Sequence, residues 1–194
     1  MEHLKKNIAE LTKYSVEEYK RLNKIPLIVL ADNVRSMHNI GSVFRTSDAF
    51  RAYEFILCGI SGTPPHPEIS KTALGAENSV EWHYSRSALD ECMRLKNEGW
   101  KICVLEQTHN SCMLQNFTPL INEKYVLVVG NEVHGVDQKI IDIADYVLEI
   151  PQGGTKHSLN VSASAAIAIW TFYQWASSQL AATPEEAVRR TSPV

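Results

Sequence analysis

Three segments of the 194-residue chain place polar groups and glycines where chemistry could occur. The first, NVRSMHNIGSVFRTSDAF (33–50), directly follows an apolar run. On a helix starting near Asn39, the residues Ile40, Val43 and Phe44 form one stripe, and Arg45 projects away from it toward any anionic ligand. Gly41 near the helix start allows close backbone approach, and free N–H groups there suit a phosphate. The competing reading pairs Arg45 with Asp48, three residues on.

The second segment, VLVVGNEVHGVD (126–137), is a buried strand ending in Gly130 that continues through Asn131 and Glu132 to Gly135. Its polar groups fall in the crevice at a strand's carboxyl end, where α/β sheets bind ligands. A purely structural reading has Gly and Asn supplying positive φ and Glu132 capping the next helix. The third, IPQGGTKHSLNVSASAAIAIW (150–170), sets Ser158 and Asn160 around the start of an apolar helix, and capping alone accounts for both. GGTKHS is no P-loop, because Thr155 separates the closing glycine from Lys156. Glu132, His134 and His157 lack metal-ligand spacing, so no metal is expected.

Elements that position these segments are legible in the hydrophobic pattern. Runs without polar alternation at 25–31, 54–60, 101–106, 125–130 and 145–151 predict strands buried on both faces. Helical patterns at about 39–50, 86–98 and 136–143 separate them, so the expected fold class is α/β, a mostly parallel sheet flanked by helices. Residues 61–77 read as a long functional loop. Residues 159–175 form a helix apolar on nearly every side, including Ile167, Trp170 and Trp175, which is expected to be shared with a second subunit.

The amino terminus, 1–23, reads as an amphipathic helix with Leu4, Ile8, Leu11 and Tyr14 on one face, closed by Pro26. The expected organisation is an extension at 1–24, one domain at 25–180 and a flexible tail at 181–194, frayed from Thr183 onward.

Composition excludes several classes. With 44% hydrophobic and 21% charged residues the chain is too apolar for disorder. No apolar run approaches the ~20 residues that span a bilayer, and the amino terminus lacks a secretory pattern, so a cytoplasmic protein is expected, without a membrane partner. The 4 Cys form no CxxC pair and are expected to be free thiols. A net charge of −3 means that any nucleic-acid footprint is local.

Taken in order, the three segments resemble the SpoU, or TrmH, family of RNA 2'-O-ribose methyltransferases within the SPOUT superfamily. The family's first motif, an Asn, a Gly two residues on and an Arg four further, is matched by Asn39, Gly41 and Arg45. Its second is matched by Gly130, Asn131, Glu132 and Gly135, and its third by Ile150, Pro151, Gly154, Ser158, Leu159, Asn160, Val161 and Ser162. KTALGAENSVEW (71–82) looks like the family's linker, so the resemblance covers 26–178; Gln152 departs from the usual Met.

The resemblance implies a carboxyl-terminal deep trefoil knot, an exception to the rule against knots. It implies S-adenosylmethionine held by the loops around Glu106, Gly130, Gly135, Ile150 and Leu159, and a homodimer completing the site. Arg45 is then the residue at the ribose hydroxyl, with Asn39, Glu132, Ser158 and Asn160 around it. A guanidinium is a poor base, so an orienting role for Arg45 is the expectation. Basic residues in or beside these loops, Arg35, Arg45, Arg51, Lys71 and Lys156, are the expected RNA contacts. The compact chain favours tRNA over rRNA as substrate; a catalytically silent RNA-binding module and a small-molecule enzyme are the rival readings.

Overall fold

The computed structural model describes residues 3–7, 11, 14–120 and 122–177. Seven parallel strands form one sheet in the order β3-β2-β1-β6-β4-β7-β5. They are β1 (Ile25–Asp32), β2 (Ala52–Cys58), β3 (Trp82–Ser85), β4 (Lys101–Leu105), β5 (Cys112–Met113), β6 (Tyr125–Val129) and β7 (Tyr146–Glu149). Helices α1 (Val16–Arg21), α2 (Met37–Ala49), α3 (Pro67–Ala73), α4 (Ala76–Ser79), α5 (Ala88–Asn97), α6 (Gln138–Ile143) and α7 (Val161–Ser177) connect and cover it.

The central strands β1, β6 and β4 are buried except at Pro26 and the two ends of β4, because each face meets helices. Leu27, Val29, Tyr125 and Leu127 pack with Phe44, Ile69, Ile169 and Phe172 of α2, α3 and α7. On the other face Ile28, Leu30, Val126 and Val128 pack with Cys92, Leu95 and Ile140 of α5 and α6. The continuous Val/Ile/Leu runs of the sequence follow from this double cover. All four cysteines are free; Cys58, Cys92 and Cys103 are buried and Cys112 partly so.

Of the helix expected over residues 1–23, residues 1–2, 8–10, 12 and 13 lie outside the described residues. Residues 3–7 are not helical, and α1 begins only where Ser15 and Glu18 form a reciprocal capping box. Isolated from a packing surface, an amphipathic pattern does not hold a helix. Residues 61–77 are not one loop either: His66 and Pro67 start α3, and Gly75 starts α4. Strands β3 and β5 escape a periodicity reading because they are short and lie at the outer ends of the sheet. The expected tail at 181–194 lies outside the described residues.

Candidate active site

A cleft of about 550 Å³ opens at the carboxyl ends of the neighbouring strands β6, β4 and β7. Its walls are residues 105–107 at the end of β4, 129–135 at the end of β6, 148–150 at the end of β7, then Gln152 and 157–160, with Val161 and Ser164 of α7. This volume is ordinary for a small-molecule site. Of the residues expected there, Glu106, Gly130, Glu132, Gly135, Ile150, Ser158, Leu159 and Asn160 all line it. Asn39 and Arg45 do not, although Asn39 is tied to two residues that do.

Glu132 joins the motifs. One carboxylate oxygen, Oε2, accepts the Arg35 backbone N–H at 3.0 Å; the other, Oε1, accepts the Ser36 N–H at 3.0 Å and the Asn39 amide at 2.9 Å. Partial burial works to raise this carboxyl, but the donors of Arg35, Asn39 and Ser36 outweigh it and hold it below its ordinary value. Asn39 in turn accepts from the Asn160 amide at 3.0 Å. Asn160 caps α7 through its other atom, accepting from Ser162 N–H at 2.9 Å. Asn160 therefore both caps α7 and bonds to Asn39. Glu132 does not cap α6: Asp137 does, accepting from Lys139 N–H at 2.9 Å. Ser158 is exposed in the cleft wall and caps nothing.

The turn after β6 is braced from both flanking strands. Asp32, at the end of β1 and only 3% exposed, accepts the Asp137 N–H at 2.9 Å. Glu106, just beyond β4, accepts the Val136 N–H at 3.1 Å. Two carboxylates thus hold consecutive backbone amides, while the Asn131 side chain donates to the Asn33 carbonyl at 2.8 Å. Glycine is required inside the turn, since a Cβ on Gly130 would lie 2.2 Å from the Gly135 carbonyl carbon. Burial raises the Asp32 carboxyl above its usual range despite the donors from Asp137 and Asn33. Sequence reasoning missed Asp32 and Asn33; the available signal was a carboxylate ending an otherwise apolar strand, IPLIVLAD.

Several expectations need correction. Gly41 does not cradle an anion: a Cβ there would lie 2.3 Å from the Ile69 carbonyl oxygen, so its lack of a side chain serves the close packing of α3 on α2. Arg45 is exposed on α2 and is not paired with Asp48, which instead accepts from the Ser79 hydroxyl at 2.5 Å. Arg51 lies at the opposite edge of the sheet, just before β2, with its carbonyl accepting the Ile25 N–H at 2.9 Å. The 13-residue length of α2 carries it there from the site. Lys156 sits in the exposed loop beside the cleft, Lys71 is exposed on α3, and Arg35 is exposed beside Glu132. Among the described residues no group of three His, Cys, Asp or Glu could hold a metal ion.

The SpoU rRNA Methylase family model matches residues 26–170. The chain is 32% identical over 151 residues to the tRNA (guanosine(18)-2'-O)-methyltransferase of Aquifex aeolicus, covering 74% of this chain and 67% of that protein. It is 30% identical over 165 residues to the tRNA (guanosine(18)-2'-O)-methyltransferase of Thermus thermophilus, covering 83% and 81%. Against the 23S rRNA (guanosine-2'-O-)-methyltransferase of Neisseria meningitidis it is 27% identical over 150 residues, covering 77% of the chain but 59% of that protein. Among solved structures, the A. aeolicus TrmH/SpoU tRNA modifying enzyme superposes with a TM-score of 0.75 at 25% identity, covering 90% of each chain. AviRb from Streptomyces viridochromogenes, in complex with AdoMet, gives 0.69 at 25% identity over 81% of this chain and 63% of that one. A parallel α/β sheet with its cleft between β6, β4 and β7, matched by that family over three quarters of its length, places this chain in the SpoU rRNA Methylase family.

Proposed function

We propose that the protein transfers a methyl group from S-adenosylmethionine to a ribose 2'-hydroxyl of structured RNA, with tRNA the first candidate substrate. The observation that carries this reading is the hydrogen-bonded chain Glu132–Asn39–Asn160, which links the three motif segments at the cleft. Leu105 and Leu159, with buried Val129 and Leu148 behind them, give the cleft an apolar wall for an adenine ring, and the backbone at Ile150 lines it beside them. These residues fit the cofactor, which when bound supplies a methyl group activated on a sulfonium sulfur.

The chain's own residues then have orienting work. Methyl transfer is an in-line displacement, so placing the ribose oxygen accounts for much of the rate. The Glu132 carboxylate, accepting from three donors, fixes the 35–39 segment and stays ionised. The Arg45 guanidinium binds the phosphate beside the target ribose, orienting its hydroxyl, since a guanidinium is a donor and not a base. Ser158, in the cleft wall, meets the same ribose.

Arg45 does not line the cleft of its own chain, and this supports a homodimer in which one copy presents Arg45 to the other's cleft. The proposed interface is α7 with the end of α2. Trp170 is 44% exposed there although it packs on Phe50, ring centroids 5.3 Å apart, and Ile167 is equally bare. A trefoil knot is proposed for the carboxyl-terminal segment. In support, the 150–160 segment leaves β7, meets the β4–β5 connection where Gln107 Nε2 donates to the His157 carbonyl at 2.9 Å, and returns as α7 beneath β1 and β6. No described helix is long and apolar enough to cross a membrane, and cytoplasmic RNA is the proposed substrate pool.

Ribosomal RNA is the second reading, favoured by the similarity to the N. meningitidis rRNA enzyme. The test is transfer of labelled methyl from S-adenosylmethionine to tRNA and, separately, rRNA from cells lacking this gene. Alkali-resistant label at a single linkage in one pool is expected; cofactor binding without label in either pool overturns the proposal.

A further inference from the structure

We propose that the carboxyl edge of β1, β2 and β3 is a docking surface for the RNA strand flanking the target ribose, with Tyr84 as a base-stacking platform and Arg35 and Arg86 as phosphate contacts. The proposal rests on the RNA-methylation reading above. Its basis is a hydrogen-bonded path that runs from the cleft along this edge and ends in an exposed aromatic ring.

The path starts at Glu132, which holds the Arg35 N–H. Two residues earlier, Asn33 accepts the Ile60 N–H through Oδ1 at 3.1 Å. Gly59 beside it has φ +63°, and a Cβ there would lie 2.1 Å from Asn33 Oδ1, so only glycine lets the β2 turn sit against β1. The Gly59 carbonyl accepts the Tyr84 hydroxyl at 2.9 Å, and its N–H donates to the Ser85 carbonyl at 3.1 Å. Arg86 follows directly. Strands stand about 4.8 Å apart, so Tyr84 on β3 lies roughly 14 Å from the β6 turn, three strand spacings along the edge.

The chemistry of this edge fits RNA. Tyr84 is 47% exposed, yet its hydroxyl is tethered, so the ring is held in place with a face free to stack. Ile60 beside it is 63% exposed and adds apolar surface. Aromatic platforms of this kind hold unstacked bases without sequence preference. The side chains of Arg35 and Arg86 are exposed and make no hydrogen bond or ion pair among the described residues. Away from this edge Arg94, Lys20 and Lys96 are paired with carboxylates, while Arg45 on α2 and Lys71 on α3 are exposed without a carboxylate partner among the described residues. Of the acids nearest the path, Glu132 directs both oxygens to N–H donors and Asp32 is buried beneath the turn.

The test compares the full-length wild type with Tyr84→Ala, Tyr84→Phe and Arg86→Ala. Binding of unfractionated tRNA is measured by fluorescence anisotropy across a salt series, alongside KM for tRNA, kcat and S-adenosylmethionine affinity. Tyr84→Ala is expected to weaken tRNA binding about 5- to 100-fold and Tyr84→Phe far less. Arg86→Ala is expected to lower the salt slope by about 1. Cofactor affinity is expected to stay unchanged in all three. Equal tRNA affinity in wild type, Tyr84→Ala and Arg86→Ala would overturn the docking surface, as would a change of oligomeric state in Tyr84→Ala, which would make this edge a contact between copies. Wild type that binds tRNA through Tyr84 yet methylates no RNA would sink the methylation reading and leave the surface standing.

Discussion

The Asn39 amide donates to Glu132 Oε1 at 2.9 Å, across 93 residues of sequence. Each residue is held by further bonds, Glu132 by two backbone N–H groups and Asn39 by Asn160. The pair joins the start of α2 to the cleft wall.

Glu132→Gln should therefore damage alignment more than folding. An amide has one accepting oxygen, so with that oxygen kept toward Ser36 and Asn39, its NH2 faces the Arg35 N–H. We expect kcat on RNA to fall at least about tenfold with a small change in Tm. The folded carboxyl lies below its ordinary value, so its stabilising contribution is present above the unfolded value near 4.3 and lost as pH falls through the folded one. Thermal melts below pH 5 should show wild type losing stability faster than the variant.

Asp32 behaves with the opposite sign. Its folded pKa is raised, so its ionisation costs stability as pH rises from about 3.9 through the folded value. Asp32→Asn should remove that decline, and melts from pH 3.5 to 7 would show a flatter profile. The amide satisfies only one of the Asp137 and Asn33 donors, so the affinity for S-adenosylmethionine, read by calorimetry, should fall while the fold survives.

Gly41→Ala puts a methyl against backbone, 2.3 Å from the Ile69 carbonyl oxygen, and α3 must move. We expect a loss of about 1–3 kcal/mol in denaturant unfolding. A neutral result would mean that α3 yields without cost.

Arg45→Lys should lose most turnover while binding cofactor normally, because a point charge does not replace a planar fork. If the partner copy supplies Arg45, mixed dimers of Arg45→Ala with Glu132→Gln should regain activity that neither variant has alone. Absence of any recovery in subunit-mixing assays would place both residues in one chain's site.

Trp170→Glu should split the proposed dimer. Sedimentation would show a monomer, with RNA methylation abolished. A dimer that persists would move the interface away from α7.

Local pattern determined a good deal of this protein. Continuous apolar runs marked β1, β2, β4, β6 and β7; in β1 and β6, covered on both faces, there is no solvent side to record, while β2 and β7 are only partly covered. Ordered motifs marked Glu132, Ser158 and Asn160, which sit at strand ends and a helix start where local chemistry already differs from the core. What tertiary structure decided was partnership. That Glu132 serves α2 rather than α6, that Gly41 admits α3 rather than a phosphate, and that Arg51 lies across the sheet from Arg35 depend on which strands are neighbours. In the order β1-β6-β4-β7 adjacent strands are distant in sequence, and no spacing along the chain encodes the contacts between their ends.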